Sequence, residues 1–173
     1  NFGRFGAGDG QLLQKLASNY GFMTHIIPPL YVGDTAVNSS SIRYLLTSGE
    51  VRQAERLLGY HYKISGTVVP GAGRGTQLQF PTANIEVKDP HQWIPKRGVY
   101  AILVHIDDRI FAGVMNIGIR PTFGASREFY EVHILDFDGD IYHVQLTVEF
   151  IDRIRDEKRF SSVGALKDQI TQD

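Results

Sequence analysis

The chain has 173 residues with 42% hydrophobic and 21% charged side chains, which is typical of a folded globular protein with one or two domains. Its net charge of -1 argues against partners such as nucleic acid or an anionic membrane, which require a basic surface. The chain has no cysteine, which excludes disulfides and thiolate zinc sites and is compatible with a cytoplasmic location. It shows no apolar run near the ~20 residues of a membrane span and no visible signal peptide.

The first elements in the chain follow a mixed helix and strand pattern. Residues 1–10 are a glycine-rich loop without an initial Met, and we expect this start to be a boundary rather than the natural beginning. Three leucines at helical spacing, with Asp9 near the N-cap position, predict a helix over 11–19. The apolar run 22–28 predicts a short strand, so the order is typical of the end of an α/β unit.

The segment VNSSSIR at 37–43 precedes two short predicted helices, each of which ends at a glycine. Serines just before an apolar-periodic run are N-cap signals. A second interpretation is a phosphate site formed by Ser39, Ser40 and Arg43, because hydroxyls, a helix N-terminus and a guanidinium all bind anions. The residues alone leave both interpretations open.

Near Tyr60 the hydrophobic pattern changes to a period of two, which predicts one domain over 1–58 and another over 59–173. Five or six antiparallel strands favour a closed or partly open barrel, since closure removes exposed sheet edges. Aspartate-rich turns predict two hairpins, across 107–109 and 138–140. A serine-capped helix ends the chain. The predicted strands are 61–69, 83–87, 98–106, 110–117, 129–137 and 141–150, and the helix is 161–170.

The stretch GAGRGTQLQFPTAN at 71–84 is the first candidate for chemistry. It holds three alternating glycines: Gly71, Gly73 and Gly75. Such glycines let backbone amides converge on an anion, usually phosphate, although a plain turn is the alternative. Thr82 and Asn84 share one side of an extended chain, and their oxygens are suitable ligands for Mg²⁺. The stretch therefore predicts a site for nucleotide phosphates and their metal.

Glu131 is the second candidate. It shares one face of its predicted strand with His133, while apolar residues form the other face. A carboxylate there can accept a proton from a substrate hydroxyl, and a solvated strand residue is the alternative. The six histidines show no i, i+4 pair, which argues against a zinc site.

Two further segments have unusual composition. Gly118 and Pro121 are expected to break the strand ladder where they occur and to redirect the chain. The charge-dense segment 153–160 is either a solvated loop or a flap with Arg155 directed at a ligand.

Taken together and in this order, these segments resemble the family of bifunctional bacterial riboflavin kinase/FMN adenylyltransferases, the FAD synthetases. Residues 60–173 resemble the riboflavin kinase module through GAGRGTQLQFPTAN, GVYAI, VMNIGIRPTF, EVHILDFDGDIY and RIRDEKRF. Residues 1–58 resemble only the last part of the adenylyltransferase module. VNSSSIR is similar to its second nucleotide motif at Ser39, Ser40 and Arg43, whereas its H-x-G-H motif would lie upstream of Asn1.

The resemblance implies a mainly β fold, a six-stranded antiparallel Greek-key-like barrel with a C-terminal helix, preceded by an α/β remnant of a nucleotidyltransferase domain. It implies transfer of the ATP γ-phosphoryl group to the 5′-hydroxyl of riboflavin, with Mg²⁺ as metal and FMN as product, and an incomplete FAD-forming half. Glu131 is then the base, and Arg155 and Phe160 contact the flavin. Nucleotide or metal binding is implied for Gly71, Gly73, Arg74, Gly75, Thr82 and Asn84.

Three positions depart from the family pattern, and alternatives to the kinase remain. Asn38 stands where serine is common in the second nucleotide motif. Gln79 and His143 stand where glycine is usual, and Gln79 could narrow the nucleotide loop. A non-catalytic flavin-binding module would tolerate loss of Thr82, Asn84 or Glu131, all of which are present. An oligonucleotide-binding barrel would need a basic groove, which the net charge does not favour. The oligomeric state stays open.

Overall fold

The structure is a computed structural model that describes residues 2–71, 82–122, 125–158, 160 and 162–173. It divides the chain into two compact units, Asn1–Ala36 and Val37–Asp173. The domain boundary predicted between residues 58 and 59 stays a prediction, as does the assignment of residues 1–58 to a nucleotidyltransferase remnant.

The first unit contains the predicted helix. After a 3₁₀ turn (Arg4–Gly6), helix α1 (Gly10–Tyr20) begins at the N-cap Asp9, whose side chain accepts a hydrogen bond from the Leu12 N–H at 2.9 Å. The helix ends where Gly21 takes the left-handed conformation (φ 70°). The capping signal and the leucine spacing are therefore sufficient to locate this helix.

The strand predicted over 22–28 is wrong. Within the described residues, this segment pairs with no other strand, and a two-residue hairpin follows it, formed by β1 (Tyr31–Val32) and β2 (Thr35–Ala36). An apolar run shows only that the side chains favour burial. A strand also needs a neighbour that satisfies its backbone groups, which the local sequence does not reveal.

The second unit opens with helices α2 (Ser39–Ser48) and α3 (Val51–Leu58). The residue that caps α2 is Asn38, whose side chain accepts a hydrogen bond from the Ser41 N–H at 2.9 Å. The prediction of serine capping is therefore wrong for α2, and Ser39 and Ser40 lie in its first turn. Asparagine is as strong an N-cap residue as serine, so both are compatible with the sequence.

The rest of the unit is a closed antiparallel barrel, as predicted. Its strands are β3 (Lys63–Val69), β4 (Ala83–Glu86), β5 (Gly98–Ile106), β6 (Arg109–Thr122), β7 (Ala125–Ile134) and β8 (Gln145–Arg155). They pair in the closed order β3-β4-β7-β6-β5-β8. The chain ends in helix α4 (Val163–Gln172), which Ser162 caps as predicted.

Alternate residues of the strands fill the barrel with apolar side chains, as the period of two indicates. Tyr100 and Phe150 lie at the centre, both 0% exposed, with ring centroids 5.2 Å apart in an edge-to-face arrangement. Residues Leu46, Val51 and Ala54 of α2 and α3 belong to the same buried cluster. The two helices and the barrel therefore share one core.

Only one of the two predicted hairpins forms. β5 and β6 pair across the turn 107–109, where Asp107 has a φ of 50°. In contrast, β7 and β8 are not neighbours, because β7 pairs with β4 and β6 whereas β8 pairs with β3 and β5. The prediction of a hairpin across 138–140 is wrong, and residues 135–144 form a longer connection between the two strands.

The expectation that Gly118 and Pro121 break the ladder is also wrong. Both residues lie within β6, which pairs with β7 through Gly118 and onwards to Thr122. Continuous pairing with a neighbouring strand therefore outweighs the local preference of these two residue types.

Candidate active site

Three polar side chains form a row across the outer face of the barrel. Asn84 on β4 is the register partner of Glu131 on β7, and Glu131 is the partner of Asn116 on β6. Residues directly opposite each other on paired strands share a face. The next residues in the chain, Ile85 and Val132, are buried in the core, so the row lies on the outer face. We call Asn84, Glu131 and Asn116 the polar row.

The row is flanked on both sides by further residues in register. Val69 on β3 is the partner of Asn84, and Val99 on β5 is the partner of Asn116. Val99 is in turn the partner of Arg155 on β8. The register therefore connects the predicted metal residue Asn84, the predicted base Glu131 and the predicted flavin residue Arg155 in one line around the barrel.

The glycine stretch begins directly beside the polar row. A Cβ atom on Gly71 would lie 2.0 Å from Asn84 Nδ2, so the Asn84 amide packs against the Cα of Gly71. This close approach explains why position 71 has no side chain. Gly73, Arg74, Gly75 and Gln79 lie outside the described residues, and their predicted role in nucleotide binding stays a prediction.

A cavity of about 330 Å³ opens next to Thr82. Val68, Val132 and Ile134 form part of its apolar wall. The connection between β7 and β8 also lines the cavity, with Phe137, Asp138, Gly139, Asp140, Ile141 and Tyr142. Cavities of this size with apolar walls and a few polar groups are typical of small-molecule sites.

The outer face of β6 carries a close contact beyond Asn116. A Cβ atom on Gly118 would lie 2.6 Å from Phe129 Cζ and 2.4 Å from Glu157 Oε1. The Phe129 ring and the Glu157 side chain therefore lie directly over Gly118, whose small size admits them. This contact brings Glu157 of the charge-dense region onto the strand that carries Asn116.

Arg155 and Phe160, the two predicted flavin residues, contact each other. The Arg155 guanidinium lies 5.8 Å from the centroid of the Phe160 ring, and its Nε and Nη2 donate to the Asp173 carboxylate at 2.8 and 2.5 Å. Burial would raise the pKa of Asp173, but the hydrogen bonds from Arg155 and Gln169 lower that pKa below its usual value. Asp173 is therefore held as a carboxylate at the end of α4.

The predicted adenylyltransferase motif lies on α2, outside the polar row. Ser39 and Ser40 are exposed in the first turn. The Arg43 guanidinium lies 5.3 Å from the ring centroid of Trp93, in the connection between β4 and β5. The structure thus gives Arg43 an aromatic partner that the sequence does not indicate.

Asn116 is the member of the row that sequence reasoning missed. Its Oδ1 is buried and has no hydrogen-bond partner in the part of the chain that the structure describes. The available signal is an amide in the middle of a strand of otherwise apolar residues. That signal is weak without the register, which alone shows that Asn116 lies opposite Glu131.

The donor set of the site is consistent with Mg²⁺ and a nucleotide. Mg²⁺ is usually held by one or two protein oxygens together with substrate phosphates. Thr82 offers a hydroxyl beside the cavity, and Asn84, two residues later, offers an amide oxygen opposite Glu131. Among the described residues there is no cluster of three or more His, Cys, Asp or Glu side chains that would bind a metal alone. A metal that arrives with phosphate oxygens fits these residues better than a metal bound only by protein.

Comparison with known proteins connects this site with a family. Residues 58–173 match the family model Flavokinase, described as riboflavin kinase. The chain is 40% identical over 174 residues to the bifunctional riboflavin kinase/FMN adenylyltransferase of Pseudomonas fluorescens and 37% identical over 143 residues to that of Bacillus subtilis. These alignments cover 100% and 81% of this chain but only 55% and 45% of the relatives, so the chain spans about half their length.

A solved structure is also similar. A crystal structure named a macrolide-efflux protein, from Streptococcus pneumoniae, superposes with a TM-score of 0.85 and 34% identity, over 92% of this chain and 52% of that one. The family model and the curated relatives name riboflavin kinase instead. In the described part of the chain, no helix is long and apolar enough to cross a membrane.

Proposed function

The chain belongs to the riboflavin kinase family, and we propose that it transfers the γ-phosphoryl group of ATP to the 5′-hydroxyl of riboflavin, giving FMN and ADP. The observation that carries the proposal is the register of Asn84 with Glu131 next to Thr82. It brings predicted metal ligands and a carboxylate to neighbouring strands, about 4.8 Å apart. Phosphoryl transfer needs such an arrangement, because the protein mainly positions the reactants and neutralises charge.

The nucleotide is proposed to bind across Gly71, Thr82 and the cavity. The apolar wall formed by Val68, Val132 and Ile134 suits the adenine ring, and the phosphates then lie towards Thr82, from which the chain leads to Asn84. The close approach of Gly71 to Asn84 leaves backbone rather than side chains near the phosphates. Bound Mg²⁺ would neutralise the charge that develops on the β- and γ-phosphates.

Glu131 is proposed to act as the general base. Its carboxylate accepts the proton of the riboflavin 5′-hydroxyl while that oxygen forms a bond to the γ-phosphorus. The bond between the γ-phosphorus and the β,γ-bridging oxygen breaks, and ADP leaves. Because Asn84 lies on the next strand, the base and the phosphate-binding residues are adjacent, as this step requires.

The flavin ring is proposed to lie towards Arg155 and Phe160. The register places Arg155 three strands from Glu131, on the side opposite Asn84. The ribityl chain would then run from the ring along the polar row to Glu131. Arg155 is occupied by Asp173 in the structure, so we expect the flavin to use the aromatic face of Phe160 and the remaining donors of Arg155.

We do not propose FAD formation by this chain, although its relatives are named for both activities. Ser39, Ser40 and Arg43 would belong to a second nucleotide site in the whole protein. We expect the substrates of the protein to be small molecules, and we expect the protein to be located in the cytoplasm, where ATP is available.

The test is incubation of the purified chain with riboflavin, ATP and MgCl₂, followed by chromatographic separation of flavins. FMN without FAD is the expected product. Riboflavin binding without FMN would replace the kinase with a non-catalytic flavin-binding module. FMN together with FAD would show that the adenylyltransferase activity is complete in this chain.

A further inference from the structure

We infer that Asn116 binds a secondary hydroxyl of the ribityl chain and so places the 5′-hydroxyl of riboflavin at Glu131. The inference rests on the proposed function and adds a substrate-binding residue that the sequence does not indicate. It makes Asn116 a determinant of specificity for flavins with an intact polyol chain.

The first observation is the position of Asn116 in the barrel. It lies directly opposite Glu131 in the β6–β7 register, on the same outer face, where Cβ atoms of paired residues are about 4.5–5.5 Å apart. A substrate atom that contacts the Glu131 carboxylate is therefore within a few ångström of the Asn116 amide. Neighbouring atoms of the same substrate can reach that amide without any strand movement.

The second observation is the state of its carbonyl oxygen. Oδ1 of Asn116 is buried and lacks a hydrogen-bond partner among the described residues. The large majority of buried side-chain polar atoms have such a partner, and a missing one requires an explanation. A hydroxyl donor from a bound substrate would supply it. Asn116 as a whole residue is only partly buried, so a substrate bound on the outer face needs only a rotation of this side chain to meet Oδ1.

The third observation is the order of groups along the line of registered residues. From β4 to β8 the line contains Asn84, Glu131, Asn116, Val99 and Arg155. The reacting pair presents its groups in the same order: γ-phosphate, 5′-hydroxyl, ribityl hydroxyls and isoalloxazine ring. Asn116 lies one strand beyond the base, about 4.8 Å away, which is where a ribityl hydroxyl two or three carbons from the 5′-oxygen must lie.

A neutral hydrogen bond of this kind contributes a modest but measurable effect. Its loss corresponds to about a 3–10-fold decrease in riboflavin affinity and in kcat/KM. A part of the loss falls on kcat, because a misplaced 5′-hydroxyl reaches the productive geometry less often. The KM for ATP is expected to stay unchanged, since the nucleotide contacts lie on the other side of Glu131.

The experiment is a double-mutant cycle in which one change removes the Asn116 amide from the protein and the other removes one hydroxyl from the substrate. Riboflavin and its 2′-, 3′- and 4′-deoxy analogues are titrated by flavin fluorescence and assayed for phosphorylation with the wild-type chain, Asn116→Ala and Asn116→Ser. Gln145→Ala is the control, because Gln145 is an exposed amide on β8 outside the registered line. Thermal unfolding of each variant confirms that it is folded, and Asn116→Ser replaces Asn116→Ala in the cycle if the alanine variant does not fold.

We expect the wild-type chain to bind one deoxy analogue about 3–10-fold more weakly than riboflavin. We expect Asn116→Ala to bind riboflavin and that analogue with the same, weakened affinity. Equal further losses for every analogue would overturn the inference and leave Asn116 a structural role. Unchanged riboflavin affinity in Asn116→Ala would also overturn it, while FMN formation by the wild-type chain would keep the kinase proposal. A wild-type chain that neither binds nor phosphorylates riboflavin would overturn both.

Discussion

At the scale of single residues, Glu131 occupies the middle of the polar row, with Asn84 on one neighbouring strand and Asn116 on the other. Replacement Glu131→Gln keeps the size of the side chain and removes the proton acceptor. We expect kcat for FMN formation to decrease by about 10²–10⁴-fold, the usual contribution of a general base. Riboflavin affinity, measured by fluorescence titration, is expected to change much less.

A carboxylate far from the row provides the control for this substitution. Asp108 is exposed in the turn between β5 and β6, and Asp108→Asn removes the same charge without touching the row. Its kcat should equal that of the wild-type chain. Near-normal turnover by Glu131→Gln would contradict the assignment of Glu131 as general base. The residue would then contribute only by positioning the substrate.

Thr82 tests the metal at the same scale. It is partly buried beside the cavity, and its hydroxyl is the proposed oxygen donor to Mg²⁺. We expect Thr82→Ala to raise the MgCl₂ concentration needed for half-maximal activity and to lower kcat/KM for ATP by at least about 10²-fold, in the range of lost charge stabilisation. Thr82→Ser keeps the hydroxyl and should retain most activity. Equal losses in both variants would show that the methyl group, rather than the oxygen, is needed.

At the scale of elements, the start of the glycine stretch is positioned by β4. A methyl group on Gly71 would overlap the Asn84 amide, because a separation of 2.0 Å is far below van der Waals contact. The flexible Asn84 side chain must then move from the row. We expect Gly71→Ala to raise the KM for ATP by about 3–10-fold, as for one lost hydrogen bond, with little change in the unfolding temperature.

A helical glycine serves as the control for that substitution. Gly164 lies in α4, where an added Cβ would meet its nearest atom, Ser162 Oγ, at an ordinary 3.9 Å. Gly164→Ala should leave the KM for ATP unchanged and stabilise the fold by about 0.5–1 kcal/mol through helix propensity. An unchanged KM in Gly71→Ala would show that Asn84 does not bind the nucleotide.

Local patterns predict elements better than they predict pairing. The Asp-Gly at 138–139 is a valid turn signal, but a turn signal cannot state that the flanking strands are neighbours. β7 and β8 are separated by β4 and β3 on one side of the barrel and by β6 and β5 on the other. Likewise, Gly118 and Pro121 disfavour strand structure locally, yet pairing with β7 carries β6 through both. In each case the structure of the segment is determined by its pairing with strands that are distant in the sequence.

The candidate site is predictable to the extent that it depends on side-chain chemistry. Thr82, Asn84 and Glu131 are identifiable because their types match metal binding and base catalysis. Asn116 is missed because an amide in a strand has no chemical signature until its neighbour across the ladder is known. The motif assigns Arg43 to an anion, whereas its contact with Trp93 depends on a connection about fifty residues later in the chain.

At the scale of the whole molecule, polar and charged side chains on the outer face connect three paired strands of the barrel. Glu149 of β8 is 8% exposed and forms an ion pair with Lys63 of β3. Its carboxylate also lies 2.8 Å from Nε2 of His105 of β5, which is charged only when protonated. Burial alone would raise the pKa of Glu149, but Lys63 and His105 lower it below its usual value. The cluster therefore connects β8 to both of its neighbours.

The lowered pKa of Glu149 determines the direction of a pH effect. Its stabilising contribution is present above the pKa in the unfolded chain and is lost as the pH falls through the lower pKa of the folded chain. We expect Glu149→Gln to reduce the free energy of unfolding by about 1–3 kcal/mol at neutral pH. Urea unfolding of both proteins at neutral and at decreasing pH should show this difference shrinking under acid conditions. Protonation of His105 in mild acid adds to the attraction, so the decisive comparison is at a pH well below the usual pKa of a glutamate, where an undiminished difference would contradict the role of the carboxylate.

Shortened chains test how much of the molecule the kinase fold needs. The second compact unit begins at Val37, and its core includes side chains from α2 and α3: Leu46, Val51 and Ala54. A chain of residues 37–173 keeps this core and should unfold in one transition and form FMN. A chain of residues 60–173 loses both helices. Because each buried Leu or Val contributes about 1.5–3 kcal/mol, this second chain should unfold at a clearly lower temperature.

The two shortened chains also decide between two boundaries. The hydrophobic pattern and the family model both place the start of the kinase part near residue 58, whereas the contacts place α2 and α3 with the barrel. If residues 60–173 prove as stable as residues 37–173, the boundary near 58 is the physical one and the helices contribute little to the core. If the shorter chain is destabilised but still forms FMN when folded, the chemistry belongs to the barrel and its stability depends on the helices. We expect this second result, because the side chains of α2 and α3 that join the core are at most 1% exposed.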